Sequence, residues 1–265
     1  MDEPQVPDYR IDGFEPATEA VERDFSSVTL SDDMFEPLAE HHSDDGRDSY
    51  LLFYDRAAIW DVPGTAVYVA FHLTRDVDQR TFTFEYERAP VVPLAQNWLI
   101  RQGCPPTATM PTLNPGPYPT DELTSRLEDL LRTNPDCRYE VIDHYTDNPG
   151  SFGFGTEVRT LVHDSHPDAT RAPYLLFLEE TAEDFRSYTV REEAFTSAES
   201  ADAWAMNRNS PLPLAPGPRS TEGHRAQAAR ARSPLAGTAG LAVPPAPVTA
   251  PAVTPFAPRS GRGAP

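Results

Sequence analysis

TAVYVAFHLTRDVDQRTFTFEYER, residues 65–88, is the stretch from which the fold can be read. Val67, Val69, Phe71 and Leu73 alternate with Tyr68, Ala70, His72 and Thr74. Phe82, Phe84 and Tyr86 then alternate with Thr81, Thr83, Glu85 and Glu87. Successive side chains of a strand point to opposite faces, so each run gathers its large apolar groups on one side. Between the runs, Arg75 to Gln79 carries charge and no large ring, which suits a hairpin loop. A lone hairpin is marginal in water, so this apolar face demands more strands or a helix over it.

On the N-terminal side, Ser49 to Trp60 is almost continuously apolar, as in a strand covered on both faces, and Pro63-Gly64 turns the chain into the hairpin. On the C-terminal side, Pro93 opens a helix carrying Leu94, Ala95, Trp98 and Leu99 at helical spacing, and Gly103 with Pro105-Pro106 stops it. The prolines of 105–119 predict an irregular loop. Leu123, Leu127, Leu130 and Leu131 form one helical stripe within 120–134, with Asp121 and Glu122 in the first turn and Arg132 in the last, as the helix dipole favours. Four strand-like segments follow, at 137–145, 156–163, 174–179 and 186–192, then a capping box at Thr196–Glu199 and a short helix ending near 207. Tyr-Leu-Leu-Phe occurs at 50–53 and again at 174–177, but the flanks differ, so the two are read as similar central strands and not as a duplicated unit. The echo Phe-Glu-Pro at 14–16 and 35–37 is read as chance.

These elements predict an α+β fold: one antiparallel or mixed sheet under two or three helices, with the leucine-striped helix over the aromatic face. Three regions are expected. Residues 1–48 form an acidic N-terminal arm with short helices at 17–25 and 33–39, residues 49–208 the α+β core, and residues 209–265 a disordered tail rich in Pro, Ala and Arg.

The formal net charge of −19 is sectored: −12 over 1–48, −13 over 49–206 and +6 over 207–265. Phosphate backbones are bound by basic groups that release counterions, so the acidic body argues against nucleic acid as a partner. No apolar run reaches the roughly 20 residues that a membrane span needs. An acidic start without an apolar run predicts no secretory signal, and two cysteines without a CxxC predict reduced thiols in a cytoplasmic protein.

Two constellations are candidates for chemistry. Glu85 and Glu87 alternate with the hairpin aromatics, and Glu179-Glu180 follows a buried strand; opposed carboxylates, one with a raised pKa, are the tools of a glycosidase-like hydrolase. His163, Asp164 and His166 on one turn offer ligands for a metal, although two imidazoles alone are too few. Gly-x-Ser-x-Gly and phosphate-loop signatures are missing, and no cofactor is expected. The loop Ser151–Gly155, with Phe152 and Phe154, is a candidate binding lip. The leading expectation is a non-catalytic module that binds a protein partner through the N-terminal arm or the 105–119 loop. The carboxylate hydrolase comes second, and an acidic DNA mimic third.

Overall fold

The computed structural model describes residues 7–58, 64–114, 116–147 and 156–207. All belong to one compact unit, Met1–Gly217. The expected tail, 209–265, and the loop Ser151–Gly155 lie outside the described residues.

The chain is α+β, but it forms two sheets where the sequence predicted one. The first contains β1 (Glu15–Pro16), β2 (Phe35–His42), β3 (Asp48–Asp55), β4 (Tyr68–Asp76) and β5 (Thr81–Ala89), in the order β1-β5-β4-β3-β2. The second contains β6 (Tyr118–Pro119), β7 (Tyr139–Asp147), β8 (Glu157–Asp164), β9 (Tyr174–Thr181) and β10 (Ser187–Phe195), in the order β6-β10-β9-β8-β7. In each sheet an antiparallel meander of four strands is joined at one edge by a two-residue parallel strand. Four α-helices are described: α1 (Glu19–Val28), α2 (Val92–Arg101), α3 (Glu122–Thr133) and α4 (Ala198–Met206).

The two sheets are copies of one plan. Each begins with a short strand and a helix, continues through four meander strands, and closes with a second helix. The backbone bonds correspond one by one. Glu15 and Ala17 N–H groups donate to the carbonyls of Arg80 and Phe82, as Tyr118 and Thr120 do to Arg186 and Tyr188. Asp55 N–H donates to Val67 as Asp164 does to Pro173, and Arg56 to Met34 as Ser165 does to Arg138. Both first meander strands carry a bulge after their third residue, between Pro37 and Ala39 and between Val141 and Asp143. In both, a buried aspartate is the last residue of the second meander strand. Asp55 accepts from the Ala57 N–H and pairs with Arg88 at 2.9 Å. Asp164 accepts from the His166 N–H and holds Arg138 through bonds of 2.6 and 2.5 Å.

The repeated Tyr-Leu-Leu-Phe does not mark this duplication. Its first occurrence lies in β3, the second strand of its meander, and the other in β9, the third. The equivalent of β4 is β9, so the four letters are offset by one strand. The two Phe-Glu-Pro echoes are not equivalent either, one ending in β1 and the other opening β2.

Each meander is covered on both faces. Val69, Phe71, Leu73 and Phe82 of the first sheet pack with Tyr9, Phe35, Leu51 and Phe53 beneath Val21, Phe25 and Val28 of α1. The opposite face, with Leu52 and Ala70, takes Ala95 and Leu99 of α2. In the second sheet, Val158, Val162, Leu175, Phe177 and Val190 lie under Leu127 and Leu131 of α3, and Leu161 and Leu176 under Ala201 and Ala205 of α4. The leucine-striped helix therefore covers the second sheet, and α1 covers the hairpin aromatics. Those aromatics share one face as expected, but Tyr86 is 43 % exposed. Beyond the two residues of β1, β5 is an edge strand with nothing beside it to bury the ring.

The helix expected at 33–39 is a single 3-10 turn, Asp32–Met34, followed by strand β2. Pro37 would interrupt a helix and is tolerated here because β2 is the edge of its sheet. Strand β2 thus joins the predicted arm to the predicted core across residue 48, by pairing with β3.

Candidate functional site

Helices α2 and α3 meet along the seam between the two sheets. Gln96 is fully buried there, donating to the Thr109 carbonyl at 2.8 Å and accepting from Arg132 Nε at 2.7 Å. Asn97 donates to the Arg132 carbonyl at 2.9 Å. Beside this contact the sheets stand apart around a cavity of about 650 Å³, lined by both copies and by the 110–119 loop.

The cavity's polar end is built by α3, β9 and β10. Glu128 is on α3 and 9 % exposed; the Tyr188 hydroxyl, on β10, donates to its Oε1. Glu179, on β9, faces the same space and has no hydrogen-bond or ion-pair partner among the described residues. Glu179 is half-buried. Desolvation, reinforced by the nearby Glu128 charge, raises its carboxyl pKa to about 8. Burial likewise raises Glu128, against the opposing pull of the Tyr188 bond and Arg132. Tyr188 and Tyr68 are both pushed upward, by burial first and then by these carboxylates. The register puts Thr146, Val158, Glu179 and Val190 on one rung across four strands, so their side chains share a face. The buried Thr146 hydroxyl, also on the cavity wall, has no partner.

The duplication shows what is unusual here. Because Thr18 and Asp121 both cap their helices, Phe25 corresponds to Glu128. The strand registers make Leu73 equivalent to Glu179 and Phe82 equivalent to Tyr188. In the first copy these three positions are core: Leu73 and Phe82 are 0 % and 3 % exposed, and the Phe25 and Phe82 rings meet edge-on at 5.3 Å. In the second copy the same three positions carry two carboxylates and a phenol around an open space.

Of the residues singled out from sequence, Glu179 alone lines this cavity. Glu180, its neighbour on β9, points to the opposite face and lies beside Glu157 and Thr189. Glu85 is exposed opposite His72, on a shallow groove with Phe84 and Trp98. Glu87 lies opposite Ala70 and is exposed, though partial desolvation lifts its pKa. His163 sits edge-on to the Tyr174 ring at 5.4 Å, and His166 accepts from the Asp168 N–H. Asp164 is held by Arg138 and the His166 N–H, so both its oxygens are engaged. Among the described residues no three His, Cys, Asp or Glu side chains are grouped to hold a metal. Cys104 is buried and its thiol raised to about 11 by that burial, and Cys137 is exposed; neither forms a disulfide.

A Ser-His-Glu chain also emerges, with His42 Nδ1 2.6 Å from Ser49 Oγ and His42 Nε2 bonded to Glu40. Ser49 is fully buried, and its oxygen accepts from Arg75 at 2.6 Å. Arg75 also donates to the carbonyls of Tyr9, Arg10 and Gly46. The chain is a clasp tying the N-terminal segment to a turn, with no hydroxyl presented to a substrate.

Comparison with protein-family models, curated proteins and solved structures found no match. No helix among the described residues is long and apolar enough to cross a membrane.

Proposed function

We propose that the protein binds a small organic molecule in the cavity between its two sheets. One observation carries this: Phe25, Leu73 and Phe82 of the first copy give way to Glu128, Glu179 and Tyr188 in the second, where they line a space of about 650 Å³. That volume is within the roughly 300–1,000 Å³ of small-molecule sites. A carboxylate without a partner in a desolvated position destabilises the fold, and a ligand supplying a donor or a positive charge relieves that cost.

The expectation of a protein partner gave the 105–119 loop an outward role. Met110, Pro111, Asn114, Gly116, Pro117 and Tyr118 also line the cavity, which supports a small ligand. The hydrolase reading keeps one specific support. A carboxyl protonated near neutral pH beside a second carboxylate is the arrangement of a general acid with its partner.

The test is a fragment screen read by amide and methyl chemical shifts, run on the natural chain and on a triple variant, Glu128→Phe, Glu179→Leu and Tyr188→Phe. Hits are expected to shift Val158, Leu38 and their neighbours in the natural chain and to vanish in the variant. Hits confined to other surfaces, or unaffected by the variant, defeat the proposal. Hydrolysis of nitrophenyl glycosides that disappears in Glu179→Gln would favour the hydrolase.

A further inference from the structure

We infer that the ligand is an amphipathic amine, its ammonium group seated against Glu179 and Glu128 and its apolar body lying along the wall contributed by the first copy. The inference rests on the cavity being a small-molecule site and adds the chemical class.

The charge of the lining is one-sided. Glu36, Glu128, Asp129 and Glu179 face the space with a single guanidinium, Arg132. That guanidinium is already committed, to Gln96 through Nε and to Asp129 through an ion pair. It neutralises Asp129 and leaves Glu179 unanswered. At the end built by the second copy, the acceptors left over are the Glu179 carboxylate and the Thr146 hydroxyl. Glu128 takes one bond from Tyr188 and retains lone pairs for another donor. An ammonium group brings three donors and a positive charge, and it answers both deficits. A neutral alcohol answers only the first, and a carboxylate adds a further anion to the site.

Away from this end, the lining changes character. Leu38, Val67 and Val92 line it with the rings of Tyr54 and Tyr68, which stand 5.8 Å apart, and Glu36 shares the strand rung of these two tyrosines. At the rim, Tyr118, Phe185 and Met110 are 62 %, 53 % and 40 % exposed, large apolar groups that a solvent-filled mouth leaves uncovered. An apolar body of several carbons covers this surface. The tyrosine faces give a passing cation a favourable path to the carboxylates. Two carboxylates without a third ligand suit an organic cation better than a metal ion.

The probes are n-octylamine, n-octanol and n-octanoate, titrated calorimetrically at pH 9, where a carboxyl with a pKa of about 8 is ionised and the alkylammonium is still charged, into the natural chain and into Glu179→Gln and Glu179→Leu, each checked for folding by its melting curve. Octylamine is expected to bind with unit stoichiometry, at least tenfold tighter than octanol, with octanoate weaker still. Both variants should erase the preference for amine over alcohol while octanol affinity stays within about twofold. If octanol or octanoate binds the natural chain as tightly as octylamine, the amine assignment falls and the cavity reading stands. If octylamine binds the variants undiminished, the assignment falls also. If none of the three binds, the amine assignment and the cavity reading fall together.

Discussion

Glu179 concentrates the tension between stability and chemistry in one side chain. Its pKa is near 8 in the folded protein against 4.5 for an ordinary glutamate, so the folded state holds the proton more tightly than the unfolded chain. The sign follows from linkage. The group costs no stability below pH 4.5, and the cost then grows as pH rises toward about 8 and levels off above it. Each unit of difference is worth about 1.4 kcal/mol, discounted because the carboxyl borders the cavity, so a few kcal/mol is the ceiling. Glu179→Leu installs the residue of the equivalent position and should stabilise the fold. Urea unfolding at pH 5 and pH 9 should show the gain larger at pH 9; an equal gain at both would mean that the carboxyl is not desolvated. Asp164 is the contrasting case, a buried carboxylate that is fully paired. Asp164→Asn strands Arg138 and should cost about 2–4 kcal/mol, and Asp55→Asn, its equivalent, should lose stability by the same route through Arg88. Chemical denaturation of both variants checks it.

Among the elements, the ones read correctly from sequence are those whose burial keeps a constant period. Strands β4 and β5 alternate without interruption and their hairpin pairs in register from Tyr68–Ala89 to Asp76–Thr81. Helix α3 carries its leucines at regular spacing and is capped by Asp121. Strand β2 was misread because its bulge falls at Leu38, so that Phe35, Leu38 and Ala39 are all buried and no period of two survives. The second sheet was missed because one leucine stripe and one aromatic face invited pairing with each other, when each had its own partner. The site was less legible still. Glu179 stood out as a charge following an apolar strand, but Glu128 is hidden on the flank of a leucine stripe and Tyr188 within an ordinary strand pattern. They converge only through contacts some 50 to 60 positions apart in the chain. The seam between the copies has its own sensitive point. Gly64 has φ +85°, and a Cβ there would meet the Tyr145 ring of β7 at 2.9 Å. Gly64→Ala should therefore lower stability by about 1–2 kcal/mol, from the left-handed backbone and the displaced ring together. Thermal melting measures it, and an unchanged midpoint would show that the ring yields freely.

At the scale of the whole molecule, the duplication lets the chain serve as its own reference. Grafting the first copy's residues into the second through Glu128→Phe, Glu179→Leu and Tyr188→Phe removes two desolvated carboxyl groups and adds apolar surface to the core, each a stabilising change on its own. The triple variant is expected to melt higher than the natural chain and to lose ligand binding. A lower melting point would show that the second copy's backbone has diverged too far to accept the first copy's core.

The paired copies also imply a division of labour. The one with the continuous aromatic interior keeps its stability in reserve, and the other, propped against it through Gln96, Asn97 and Arg132, is free to carry residues that no isolated sheet of this size would tolerate. Selection for a new ligand would then act first on the tolerant copy, so changes of specificity should accumulate near Glu128, Glu179 and Tyr188 while Phe25, Leu73 and Phe82 stay as they are.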